Sequence, residues 1–221
     1  MFKRLMHLSL ILIVVLAAGQ ATAFSFGRGE KGSGDLETRE LSLDEFQAID
    51  LGGAFELEVS FGDQQSIEVT IDDNLWDLLE TKVKGKWLKI KWKKNCRPSD
   101  HCKIEIVMQK LEEVDISGAC DAVISDFNGH RFQYSLSGAG DLEMDGQVDQ
   151  LEIHISGAGD ADTRQLIAQH VEVGISGAGN ATVHAEKSLD GHISGVGHLT
   201  YYGDPEETDT HVSGMGKIKR K

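Results

Sequence analysis

Ser137-Gly138-Ala139-Gly140-Asp141, Ser156-Gly157-Ala158-Gly159-Asp160 and Ser176-Gly177-Ala178-Gly179-Asn180 are three near-identical pentapeptides in one chain. Ser117-Gly118-Ala119-Cys120-Asp121 precedes them. The divergent copies Ser194-Gly195-Val196-Gly197-His198 and Ser213-Gly214-Met215-Gly216-Lys217 follow. Their starts are separated by 20, 19, 20, 18 and 19 residues. Six copies at so regular a period mark a repeat architecture.

The flanks of each copy alternate. Leu151, Ile153 and Ile155 lead into one motif, and Val171, Val173 and Ile175 hold the same offsets before the next. Leu142 and Met144 leave one motif, and Ala181 and Val183 leave another, with polar residues between. Period-two alternation is the mark of a strand with one buried face. About 20 residues per repeat leave no room for a helix pair, which needs roughly 33 or more. The regularly placed leucines of the short leucine-rich repeats are missing. What remains is an all-β chain built as a right-handed parallel β-helix, a solenoid with one coil per repeat of about 19–20 residues. Six coils at about 4.8 Å would be roughly 25–30 Å long. The bend glycines Gly118, Gly138, Gly157, Gly177, Gly195 and Gly214 would permit positive φ and close approach of successive backbones. The residue after Ser-Gly is Ala in four copies, then Val196, then Met215. That grading predicts an interior that widens or closes towards the C-terminal end.

Working outward, residues 111–221 are the repeat region. Residues 41–110 read as a β meander that caps the solenoid and is continuous with it. Phe55-Glu56-Leu57-Glu58-Val59, Ile67-Glu68-Val69-Thr70-Ile71 and Trp87-Leu88-Lys89-Ile90-Lys91-Trp92 all alternate. A short helix is predicted from Asn74, its cap, to Leu79. Residues 24–40, rich in Gly, Ser and charge, read as a flexible leader. Residues 1–23 have the form of a signal peptide: Lys3 and Arg4, an apolar run from Leu8 to Ala18, then Ala21-Thr22-Ala23. The run is too short to span a bilayer, and no later stretch would span one as a helix.

The formal charge is −14, and it becomes −16 once Lys3 and Arg4 are removed with residues 1–23. Such a body repels nucleic-acid phosphates and anionic lipid surfaces. The basic tail Lys217-Ile218-Lys219-Arg220-Lys221 reads as a frayed, solvated terminus. Export implies an oxidising compartment, so Cys96 and Cys102 are candidates for a hairpin-closing disulfide. A metal site with His101 is the alternative, although two thiols and one His fall one ligand short of structural zinc. Cys120 stands where other copies have Gly and reads as a small buried thiol.

The chain resembles the putative auto-transporter adhesin, head GIN domain family of exported bacterial proteins. The resemblance rests on the Ser-Gly-Ala-Gly-Asp bends, on Leu199-Thr200-Tyr201-Tyr202-Gly203-Asp204-Pro205, and on Phe46-Gln47-Ala48-Ile49 and Trp87-Leu88-Lys89-Ile90. It covers roughly residues 43–218 and implies a β-helical solenoid. The name implies adhesion.

Stacking puts Asp121, Asp141, Asp160 and Asn180 in one row, continued by His198 and Lys217. Three like charges so close repel unless offset. Ca²⁺, which favours oxygen ligands, is one way. The alternative is that each Asp or Asn bonds its own backbone to shape the bend. Six equivalent serines, Ser117, Ser137, Ser156, Ser176, Ser194 and Ser213, read as a structural hydroxyl ladder rather than nucleophiles, since a nucleophile needs one oriented base. His130, His154, His170, His184, His192 and His211 lie on polar positions without a metal-protease spacing, and surface histidines are the expectation. No catalytic, cofactor-binding or metal constellation stands out.

Three functions follow. The first is a non-catalytic exported scaffold, an adhesin-like binder of a glycan or a cell-envelope protein. The second is a periplasmic structural or stress-related envelope protein. The third is a polysaccharide-acting enzyme, which would need a local break in the repeat with paired carboxylates or a basic cluster; Arg164 is the basic residue near the acidic row. Self-association through an uncovered end is also open.

Overall fold

In the computed structural model, residues 29–100 and 102–221 are described. The signal-peptide reading, residues 24–28 and His101 lie outside them. The chain is a parallel β-solenoid of about 5 turns. The six Ser-Gly bends delimit five intervals.

The regular part follows the sequence closely. Ala119–Leu136, Leu142–Ile155, Ala158–Ile175 and Ala178–Ile193 are long strands that pair in parallel, each with the next. Register aligns equivalent residues: Leu136 with Ile155, Ile155 with Ile175, and Ile175 with Ile193. Alternation then sorts every rung into inward and outward columns. One inward column is Tyr134, Ile153, Val173 and Gly191; another is Phe132, Leu151, Val171 and Leu189. Side-chain volume falls steadily from Tyr134 to Gly191 in the first, and from Phe132 to Val171 in the second before Leu189 enlarges it again. Along the first column the interior therefore narrows, which is the closing rather than the widening of the two outcomes the sequence left open. Ala119, Ala139, Ala158 and Ala178 are exposed on the outside, with Val196 50% and Met215 73% exposed in the same row. The Ala-to-Met grading lies on the surface because the preceding Ser-Gly bend turns that position outward.

Residues 41–110 are more than a meander. Ala48–Gly52 and Ala54–Phe61 already form a solenoid rung, parallel to Glu113–Ile116 and to the start of Ala119–Leu136. Gly52-Gly53-Ala54-Phe55-Glu56 takes the place of a Ser-Gly motif. Residues 62–112 leave this rung as an excursion. Within the excursion, Trp87–Trp92 pairs in parallel with Ala48–Gly52, and Lys103–Met108 with Ala54–Phe61. The layer below the first rung thus comes later in sequence. Antiparallel strands close that end: Leu79–Lys84 on Trp87–Trp92, and Ser66–Asp72 on Lys103–Met108. Buried Phe55 stacks there on the half-buried Trp92, ring centroids 5.5 Å apart.

Three further expectations are corrected. Leu36–Glu40, assigned to the flexible leader, is a strand antiparallel to Ser66–Asp72, because the cap offers it a free edge. The predicted helix is a 3-10 helix over Asp73–Leu78, and Asn74 does not cap it. The Asn74 side chain instead accepts from the Ser33 N–H at 3.0 Å and donates to the Lys31 carbonyl at 2.9 Å. The basic tail is ordered: Met215–Arg220 pairs with Val196–Tyr202, and Arg220 bridges Asp204 at 2.7 Å. Its lysines place charge along the last edge, where strand addition would otherwise be invited. Cys96, Cys102 and Cys120 are thiols in this structure. Burial, with Cys96, Asp72 and Asp100 nearby, pushes the Cys102 thiol up to about 12.

Candidate functional site

Outward columns make up the surface available for binding, and the bends supply the first. The Asp row forms as predicted, but its hydrogen bonds run between rungs rather than within them. Asp121 Oδ1 accepts from the Asp141 N–H at 3.1 Å, and Asp141 Oδ1 from the Asp160 N–H at 2.8 Å. Asp160 Oδ1 accepts from the Asn180 N–H at 3.0 Å and from its side-chain amide at 2.8 Å. Asn180 Oδ1 accepts from the His198 N–H at 3.0 Å. Each side chain thus staples one rung to the next. Asn180 does this without charge, so charge is not what the position requires. Asp160→Asn is expected to keep stability or raise it slightly by relieving repulsion. Asp160→Ala is expected to cost about 1 kcal/mol, a lost hydrogen bond at a partly solvated site. Urea unfolding of the two variants checks the ordering.

The serine row is structural where its bonds are seen. Ser117, Ser137 and Ser156 donate from Oγ to the carbonyls of Leu51, Ile116 and Leu136, at 3.3, 3.4 and 3.3 Å. Of the bend glycines, Gly118, Gly138, Gly157, Gly177, Gly195 and Gly214 serve close approach. Positive φ within the motif belongs to Gly140 and Gly159. Cys120, in the register of those second glycines, is buried; its thiol is pushed up to about 12 by burial and the Asp121 charge. Arg164 is held by Asp162, at 2.8 Å from Nε and 2.6 Å from Nη2, so its charge is matched locally. A groove of about 630 Å³ opens beside the first bends, lined by Phe55, Pro98, Ser99, Cys102, Cys120 and Asp121 among others.

The strand segment before each bend carries two outward columns. One runs Gln133, Glu152, Glu172, Asp190 and Asp209; the other, two residues on, runs Ser135, His154, Gly174, His192 and His211. His154, His192 and His211 are therefore brought into one line beside carboxylates. The sequence places each on a polar position, but their repeat offsets had to be compared to find the line. Glu152 Oε1 lies 2.7 Å from His154 Nε2, and Glu152 Oε2 accepts from Arg131 Nη2 at 2.7 Å. Partial burial pushes the Glu152 carboxyl up, but the bonds from His154 and Arg131 outweigh it and hold it below the usual range. His192 Nδ1 lies 2.8 Å from Asp190 Oδ1, and its ring centroid is 6.2 Å from that of His211. Glu152, His154 and Glu172 each present one metal-ligating atom, and these atoms lie within 4.8 Å of one another. His130, His170 and His184 lie away from this line, with Asp149, Ser188 and Glu186 as their partners.

A family model described as putative auto-transporter adhesin, head GIN domain, matches residues 45–205. No curated protein matches the chain. Among solved structures, a putative adhesin from Bacteroides fragilis is similar at 24% identity and a TM-score of 0.73, covering 87% of this chain and 100% of that one. A putative lipid binding protein from Parabacteroides distasonis is similar at 25% identity and a TM-score of 0.52, covering 88% and 100%. A putative adhesin from the same species is similar at 18% identity and a TM-score of 0.58, covering 87% and 100%.

Proposed function

We propose that this chain, which belongs to the putative auto-transporter adhesin, head GIN domain family, acts as a non-catalytic exported scaffold that binds a glycan or an envelope protein through its outer strand faces. The observation that carries the reading is the pair of outward polar columns before the bends. They offer carboxylates, imidazoles and amides at the rung spacing of about 4.8 Å along several turns. A long partner with its own repeat can meet such a face at several rungs at once, and several weak contacts then add to useful avidity. Most of the large apolar side chains are spent on the interior, where Phe132, Leu151, Ile153 and Leu189 are buried. That favours a polar partner over an acyl chain threaded through the core. Among the described residues, no helix is long and apolar enough to cross a membrane. The export signal read in residues 1–23 supports a role outside the cytoplasm.

Protease treatment of intact and lysed cells tests the reading. Digestion in intact cells is the expected result, and glycans and surface proteins are then the partners to screen. Protection until lysis would sink the adhesin role and leave the periplasmic envelope role in its place.

A further inference from the structure

We propose that Glu152, His154 and Glu172 form a site for a divalent transition-metal cation, of which zinc is the most suitable probe. The inference goes beyond the adhesin reading and does not depend on it. Glu152 and Glu172 are register partners on adjacent rungs, and His154 lies two residues from Glu152 on the same outward face. Metal–ligand bonds of about 2.0–2.2 Å put the ligand atoms of one ion within roughly 4.4 Å of each other. The three ligand atoms, all within 4.8 Å of one another, need only side-chain adjustment to meet that.

The surroundings fit the same use. His154 faces Gly174 on the next rung, and a Cβ there would lie 3.1 Å from His154 Nδ1. The missing side chain leaves room for the imidazole to turn its Nε2 towards Glu172. Arg131 holds Glu152 Oε2, so that Oε1 is the oxygen offered beside His154. Asp190 and Asp209 extend the carboxylate column on the following rungs, a field that attracts cations. Imidazole together with carboxylate suits zinc, copper or nickel, whereas Ca²⁺ takes six to eight oxygens. Three protein ligands leave a coordination position open to water or to a group on a partner.

The test is calorimetric titration of the protein, carrying no polyhistidine tag, with zinc chloride in a non-chelating buffer. Saturable binding of one ion per chain is expected. His154→Ala and Glu172→Gln should each weaken it at least about tenfold, the scale on which zinc sites respond even to loss of supporting groups. His130→Ala, on a separate exposed pair, should not weaken it. Thermal melts of the metal-free variants show that they remain folded, and zinc should raise the midpoint of the wild type but not of His154→Ala. Absence of binding at millimolar zinc would overturn the proposal. So would binding that His154→Ala leaves unchanged, or binding lost only with His192→Ala, which would move the ion to the Asp190–His192–His211 group.

Discussion

Gly157→Val is expected to abolish cooperative folding, with a loss of more than about 4 kcal/mol, a size reached only through gross steric or polar defects. A Cβ at Gly157 would lie 1.9 Å from the Gly138 carbonyl oxygen and 2.8 Å from its carbon. These are backbone atoms of the rung below, so no rotamer change relieves the clash. The rungs would have to separate, breaking the Gly157 N–H bond to Leu136 O and the Ala158 N–H bond to Gly138 O, both 3.0 Å. The damage would spread, since Gly177 sits just as close to Gly157, its Cβ position 2.0 Å from that carbonyl oxygen. In a stack of this kind each rung is held only by its neighbours. Gly85→Asn is the control: Gly85 has φ +62° with nothing within 4 Å of a Cβ, and Asn tolerates that conformation. It should change stability by less than about 1 kcal/mol. A Gly157→Val protein that melts within a few degrees of wild type would show that the rungs are not in the close contact described.

The second large effect is expected at Asp72. This carboxylate is fully buried at the cap. It accepts from the Gly34 N–H at 2.8 Å, the Ser99 N–H at 2.9 Å and the Ser99 hydroxyl. It ties the strand beginning at Leu36 and the loop around Ser99 to the end of Ser66–Asp72. Gly32 passes so close that a Cβ there would lie 2.3 Å from Asp72 Oδ2. Asp72→Ala strands several donors and is expected to cost about 3 kcal/mol, measured by denaturant unfolding. Asp73→Ala, which removes an exposed carboxylate bonded to Ser33 Oγ, should cost less than about 1 kcal/mol. Burial pushes the Asp72 carboxyl up, but the bonds from Ser99 and Gly34 outweigh it and hold it below its ordinary value. Because the folded value is the lower one, the stabilisation is fully present above the unfolded value near 3.8. It is lost as pH falls through that value towards the folded one. Stability plotted against pH should therefore fall less steeply on the acid side for Asp72→Ala than for wild type. Parallel acid limbs would mean that Asp72 is not the group responsible.

The sequence alone determined the regular body. Near-equal spacing of the Ser-Gly bends and the alternation that flanks them are local properties, and in-register parallel stacking next to the bends turns them directly into columns. Leu151, Ile153 and Ile155 could therefore be placed inside, and Asp121, Asp141 and Asp160 in one outer row, before any coordinates. Even there, one feature was out of reach. Whether an Asp oxygen meets its own backbone or that of the next rung depends on the height of a single rung.

The tertiary structure decided everything that pairs across irregular spacing. Gly52-Gly53 acts as a bend without its serine, and it lies 65 residues before Ser117-Gly118 because of the excursion over 62–112. Trp87–Trp92 and Lys103–Met108 form the layer beneath a rung that precedes them in the chain, an order set by which open edge the returning chain can reach. Asp72 draws its partners from 38 and 27 residues away. Glu172 comes beside His154 through the register of two parallel strands. A periodic pattern is legible because each residue's surroundings repeat with it. A contact between segments that do not repeat is fixed only when the chain closes on itself in three dimensions.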